Sequence, residues 1–295
     1  MREENKQMRI LSAIGMILVV AGHLGYSLFD VGGLFPYYSF HVFIFLFVSG
    51  YFYREEAEQQ LLRYIGKKCK ALLLPYFIWN LVYGILAVLL HRTGFSIGGE
   101  LTLWNLFIEP FVSGHQFLYQ FPAWFVPALF LIEVLNVLGR RVLSFLHLKK
   151  EWLIFAVSLL LGIATVALAK GGHVWGYYKF PGRLLFMMPG FQLGRIYKEK
   201  LENRVNKISD GRYFFVVVGV QLLTTICCRG LAFSAVWVTG FANAAFIPYL
   251  TVVTGIAFWL RISDWISRIP SACSWFMEIG RHTYAIMMHH VFWFF

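Results

Sequence analysis

The sequence predicts an all-α protein: a polytopic transmembrane helix bundle of about nine spans, with its N-terminus on the cytoplasmic side. Three observations carry this. Of the 295 residues 59% are apolar and only 14% charged, with a mean hydropathy of +0.64, against roughly 45 to 50% apolar and about 25% charged in soluble domains. Apolar runs recur from end to end, each long enough to cross about 30 Å of hydrocarbon. With nine alternating spans, 21 of the 26 Lys and Arg fall on the side of the N-terminus, as the excess of basic residues in cytoplasmic segments requires.

The spans fall at roughly 10–28, 36–53, 71–90, 122–139, 152–169, 180–197, 213–229, 241–260 and 275–295. The first is of spanning length with no small-residue cleavage site behind it, so it is expected to be an anchor and not a removed signal. The second carries FHVFIFLFVSGY, almost wholly apolar after His41, where Ser49 and Gly50 would let another helix approach closely. The third follows the basic stretch RYIGKKCKALLLP, and the fourth opens on Trp124 and Phe125, the residue types that anchor a helix at the interface. In the segments between spans, Arg2, Lys6 and Arg9, then Arg54 to Lys70, Arg140 to Lys150, Arg195 to Arg212, and Arg261, Arg268 and Arg281 lie inside. Arg92, Lys170, Lys179, Arg183 and Arg229 lie outside.

The net charge of +11 would raise nucleic acid as a partner in a soluble protein; in this chain it reads as topology, and no nucleic acid is expected. Cys69, the adjacent Cys227 and Cys228, and Cys273 have no ligand spacing and indicate neither a disulfide framework nor a metal. One stretch, 95–121, mixes apolar and aromatic residues with Gly98, Gly99, Glu109, Pro110, Gly114 and His115. It reads as an interfacial or re-entrant segment on the outer side of one continuous domain over 1–295, either a lid over a site or a plain surface element.

Ionisable side chains within spans are costly and mark function by default. His23 lies about 20 Å into the first span from the inside, at 1.5 Å per residue. His41 lies near the outer end of the second, and His289 and His290 about 21 Å into the ninth. Three spans thus place histidine at a similar depth. Each could simply be a satisfied polar residue in helix packing. Their convergence favours chemistry, since imidazole accepts and returns a proton near neutral pH, and one base in a shielded site suits transfer of a group onto a hydroxyl. No Asp, Glu or Cys accompanies them at a metal-binding spacing, so no metal is expected. Neighbours on a helix point about 100° apart, so only one of His289 and His290 can face the bundle. Arg183 and Glu278 each need a partner or a wet cavity, and Arg63, Lys67, Lys68 and Lys70 serve either topology and lipid contact or the phosphates of a cytosolic donor.

In order along the chain, LVVAGH at 18–23, FHVFIFLFVSGYFY at 40–53, KKCKALLLPYFIWN at 67–80, AWFVPALFLIE at 123–133, PGFQLGRIY at 189–197 and EIGRHTYAIMMHH at 278–290 resemble the acyltransferase-3 family of bacterial integral membrane acyltransferases, in particular its fucose 4-O-acetylase-like branch. The resemblance runs over essentially the whole chain. It implies a multi-pass enzyme of the bacterial cytoplasmic membrane that takes an acyl group, usually acetyl, from cytosolic acyl-CoA and places it on a hydroxyl of a cell-surface or lipid-linked glycan. By position it makes His23 the catalytic residue, with His41 and one of His289 and His290 lining the same site. Trp124, Ser49 and Arg183 are then candidates to contact the acceptor, and Arg63, Lys67, Lys68 and Lys70 to hold the CoA phosphates. Members usually carry Arg or Lys eleven residues before the catalytic histidine; here that place is Ser12, and Arg9, one turn earlier, is the candidate to replace it. Members also usually have ten spans, so nine leave Phe295 outside, as a fragment of a longer protein would.

Two other classes stay open. A proton-coupled transporter or flippase would use the histidines as a relay, but such carriers more often hold a carboxylate within the membrane and broken helices in matching halves, and no inverted repeat is apparent. A binding or sensing module without activity would account for Ser12.

Overall fold

The computed structural model describes residues 5–26, 31–95, 99–114, 117–173, 176–229, 231 and 244–294. Outside them lie Arg2, the limits of the first, eighth and ninth expected spans at 27–28, 241–243 and 295, and Gly98 and His115 of the 95–121 stretch.

Every regular element among the described residues is helical. In chain order they are α1 (Lys6–His23), α2 (His41–Phe52), α3 (Glu56–Gln59), α4 (Leu61–Lys68), α5 (Leu74–Arg92), α6 (Leu103–Phe107), α7 (Glu109–Val112), α8 (Phe125–Phe145), α9 (Glu151–Lys170), α10 (Lys179–Ile196), α11 (Glu202–Val205), α12 (Asp210–Cys227), α13 (Ile247–Ser267), α14 (Pro270–Arg281) and α15 (Thr283–His289). Four stretches are both long and apolar enough to cross a membrane: Leu61–Arg92, Leu118–Phe145, Glu151–Lys170 and Asp210–Cys227. These coincide with the third, fourth, fifth and seventh expected spans. The second expected span is helical only from His41, and the ninth divides into α14, α15 and a 3-10 turn at Phe292–Phe294. The break falls where Glu278 accepts from Arg281 at 3.1 Å and His282 at 3.0 Å, a charged, exposed helix end. Glu278 thereby has the partners that its place in an apolar stretch demanded.

Local sequence explains the ends. Asn5 caps α1 by accepting from the Met8 N–H at 3.1 Å. Pro248 and Pro270 sit in the first turns of α13 and α14, where a missing N–H costs nothing. Pro75 lies just inside α5, and the five residues before that helix, Cys69–Leu73, widen into a π turn. A proline ring clashes with the carbonyl four residues back, and a π turn is one way a helix absorbs it.

Contacts divide the chain into two compact units, 1–53 with 151–174 and 185–284, and 54–150 with 175–184 and 285–295. In the first, α1 packs on α2, α13 and α14, and α12 packs on α13. Backbones meet where side chains vanish: a Cβ on Gly50 of α2 would overlap the Phe191 carbonyl of α10, and one on Gly194 of α10 the Phe47 carbonyl of α2. Two buried polar residues of this unit are tied to several partners each. Gln221 donates to the Leu34 carbonyl at 2.7 Å and accepts from Thr254 at 2.6 Å, and Arg261 bonds the Val205 and Ile208 carbonyls at 3.0 and 3.3 Å and meets Asp210 at 3.3 Å.

In the second unit α5 packs on α6, and α8 packs on α3, α4 and the π turn. Its apolar core joins Tyr83, Ala87, Leu106, Phe117 and Tyr119. The short α6 and α7 occupy the middle of the 95–121 stretch, with Leu106 and Pro110 buried.

Candidate functional site

The first unit brings two of the expected histidines into one neighbourhood, through a residue that the sequence did not single out. Helix α1 ends at His23 because Gly25 takes φ +76°. The Tyr26 N–H then bonds the Ala21 carbonyl at 2.9 Å and the Gly25 N–H the Gly22 carbonyl at 3.2 Å, the paired bonds of a Schellman end. His23 is therefore the last helical residue, exposed, and not a mid-span residue as the expected 10–28 run had it.

Next to it, Pro36 opens a 3-10 turn at Tyr37–Ser39 that leads into α2. The Tyr37 ring lies against Gly22, where an added Cβ would come within 2.8 Å of Cζ. The Tyr37 carbonyl accepts from the Phe40 N–H at 3.2 Å and from His41 Nδ1 at 2.8 Å, and the two rings meet edge to face at 5.6 Å. A carbonyl can only accept, so the His41 Nδ1 carries the proton and its Nε2 keeps the lone pair of a base. His41 is buried at 6% exposure. Tyr37 thus touches the residue before His23 with its ring and sets the tautomer of His41 with its backbone. Ser49, two turns further along α2, is half-buried beside Gly50.

In the second unit His289 Nδ1 lies 2.8 Å from the Tyr83 hydroxyl, and its ring stands edge to face on Trp79 with centroids 4.2 Å apart. His290 is more buried and turns Nδ1 to the Ile286 carbonyl at 2.8 Å. The consecutive histidines have separate surroundings, as their 100° offset requires. Trp124 and Arg183, named separately from sequence, form one contact: the guanidinium lies 4.3 Å from the indole centroid, with Arg183 at 3% and Trp124 at 6% exposure. Arg183 thereby has the partner that a charge within an apolar stretch needs.

The four basic residues before α5 part company. Arg63, Lys67 and Lys70 are exposed and spaced at i, i+4 and i+7, one stripe along the helix. Lys68 turns the other way and pairs with Glu133 of α8 at 2.7 Å. The Glu133 side chain is 2% exposed, so Lys68 is committed to a buried carboxylate. Glu133 also corrects the sequence argument against a carrier, which relied on the want of a carboxylate in the membrane: one is present in the fourth expected span. The signal was visible in AWFVPALFLIE, where the last letter is charged. On the same helix Arg140, 1% exposed, donates Nε to Asn136 at 3.0 Å. Arg9, the candidate to replace the basic residue missing at Ser12, lies on Gly280 of α14 and donates to its carbonyl at 3.4 Å.

Removing one partner of the Lys68–Glu133 pair leaves the other charge without its counter-ion. Lys68→Met is expected to destabilise the protein by about 2 kcal/mol, and Glu133→Gln with Lys68→Met together by less than that single change. Chemical denaturation of the four proteins of this double-mutant cycle checks it.

Four stretches long and apolar enough to cross a membrane mark the chain as a membrane protein. A model of the acyltransferase domain matches residues 5–295. The chain belongs to that acyltransferase family, whose members transfer acyl groups. No curated protein and no solved structure matches it.

Proposed function

We propose that the protein is an O-acetyltransferase of the bacterial cytoplasmic membrane, of the fucose 4-O-acetylase-like kind, with nine spans and a cytoplasmic N-terminus. It moves an acetyl group from cytosolic acetyl-CoA to a hydroxyl of a cell-surface or lipid-linked glycan. The observation that carries this reading, beside the family, is the meeting of the His23 turn and His41 on Tyr37. His23 takes the proton from the acceptor hydroxyl as the oxygen attacks the thioester carbonyl; the carbon–sulfur bond breaks, CoA leaves as thiolate, and the proton passes to it. His41, whose Nε2 is unprotonated while Nδ1 holds the Tyr37 carbonyl, offers a second acceptor for that proton.

The exposed stripe of Arg63, Lys67 and Lys70 supports binding of the CoA phosphates, which favour several cationic donors. Reversing these three charges is expected to raise the KM for acetyl-CoA roughly tenfold with kcat unchanged, an effect that added salt narrows.

The test of the reading is CoA release from acetyl-CoA by the full chain in nanodiscs, slow to water and faster with a mixed glycan extract. Release that a glycan accelerates, with labelled acetyl recovered on the glycan, is the expected result. No release from folded protein at any acetyl-CoA concentration overturns it.

A further inference from the structure

Three buried groups of the second unit play no part in the mechanism above. Asn80 of α5 is 1% exposed, and its Nδ2 donates to the Leu106 carbonyl at 2.8 Å. That bond fixes which end of the amide is oxygen, and Oδ1 has no hydrogen-bond partner among the described residues. Gln120, in the 3-10 turn Leu118–Trp124, is 0% exposed; its Nε2 lies 4.0 Å from the sulfur of Met288, and its Oε1 likewise lacks a partner. Buried carbonyls without a partner are rare and costly, and they call for a donor.

The third group is the pair of Tyr83 and His289. Tyr83 lies one helical turn from Asn80 on α5 and shares one apolar core with Leu106, whose carbonyl Asn80 bonds, and with Tyr119, the residue before Gln120. Tyr83 is 4% exposed, and His289 Nδ1 is the partner of its hydroxyl. A phenol hydroxyl can donate or accept; when Tyr83 donates, Nδ1 accepts and the neutral ring carries its proton on Nε2, where His289 is a donor. Around it stand Trp79, which keeps 37% of its surface open, and Phe292, 6.1 Å from the Tyr83 ring.

We propose that this cluster is a polyol-binding subsite, in which Asn80 Oδ1 and Gln120 Oε1 accept hydroxyl protons, His289 Nε2–H donates to a hydroxyl oxygen, and the indole of Trp79 covers an apolar sugar face. Tyr83 is the positioning residue that holds the donor tautomer of His289. The inference rests on the reading of the protein as an acyltransferase with a glycan acceptor, and names residues that recognise that acceptor. Hydroxyl-rich molecules suit it because each carbonyl needs an O–H and the one N–H needs an oxygen, in aromatic surroundings that exclude an anion.

The experiment is saturation-transfer NMR on the nanodisc-embedded full chain with methyl glycosides of fucose, glucose and N-acetylglucosamine, without acetyl-CoA, alongside CoA release to water. Transfer to at least one glycoside is expected in the wild type. Asn80→Leu and Gln120→Met should weaken it at least tenfold. Gln120→Glu, which keeps an acceptor at that place, should retain it, and Tyr83→Phe should raise the acceptor KM more than it lowers kcat. A wild type that binds none of the three while still releasing CoA overturns the subsite and leaves the acyltransferase reading standing. Binding by the wild type that all the substitutions leave untouched also overturns it, the amides then holding only water. Amide-dependent binding by a protein that never releases CoA overturns the acyltransferase reading and not the subsite. Should the leucine and methionine variants fail to fold, the wild-type, Gln120→Glu and Tyr83→Phe measurements decide.

Discussion

Replacing His23 with alanine is expected to lower acetyl transfer by about 10²- to 10⁴-fold, the usual worth of a positioned acid–base group, while the protein folds as before. His23 closes α1 at an exposed position, and its replacement there is expected to stay within about 0.5 kcal/mol in stability. The bonds that end the helix are made by backbone groups of Ala21, Gly22, Gly25 and Tyr26, which alanine leaves in place. His41→Ala separates the two effects. It removes a buried ring whose Nδ1–H holds the Tyr37 carbonyl, so it should cost about 2 kcal/mol as well as activity. Rates of acetyl transfer paired with denaturation curves for both variants check this. A His23→Ala protein that transfers acetyl at the wild-type rate removes His23 from the chemistry.

The largest structural effect is expected at the crossing of α2 and α10. Each helix presents a glycine to a backbone carbonyl of the other, Gly50 to Phe191 and Gly194 to Phe47. An alanine at either place would overlap a backbone oxygen, which has no rotamer by which to move aside. Alanine is better than glycine in a helix by about 1 kcal/mol, whereas overpacking costs about 1 to 3 kcal/mol and more where backbone must shift. The clash outweighs the propensity, so Gly50→Ala and Gly194→Ala should each destabilise by about 2 kcal/mol, and the pair should separate the two helices. Gly219→Ala on α12 is the control. Nothing lies within 4 Å of the Cβ it would add, so that change should be neutral or stabilising. Thermal unfolding in one detergent, followed for all three, gives the comparison. Equal losses at Gly50 and Gly219 would mean that the two helices do not meet through their backbones.

The family resemblance was legible in the order of six motifs, and the third, fourth, fifth and seventh expected spans reappear as helices of crossing length. Both signals are local along the chain. A membrane helix satisfies its backbone hydrogen bonds within one segment, so its existence follows from composition over about 20 residues. Helix ends are local too: the Asn5 cap and the Gly25 stop lie within a few residues of what they terminate. The division of the ninth expected span into α14 and α15 is not visible in hydropathy, which averages across the two residues Arg281 and His282.

Partnerships were not legible in this way. From sequence Trp124 and Arg183 were separate candidates, Lys68 one of four equivalent cations, and Glu133 a letter in a motif. The separations in sequence are large, 65 residues for Lys68 and Glu133 and 206 for Tyr83 and His289, and no periodicity relates such positions. The amino-acid sequence by itself determined the helical class, the family, and which residue types were available for acid–base chemistry. Only the folded structure decided that the His41 Nδ1 meets the Tyr37 carbonyl and the His289 Nδ1 the Tyr83 hydroxyl. A neutral imidazole has two tautomers of similar intrinsic energy, and the choice falls to whatever each ring nitrogen meets: a carbonyl can only accept, whereas a hydroxyl can donate or accept.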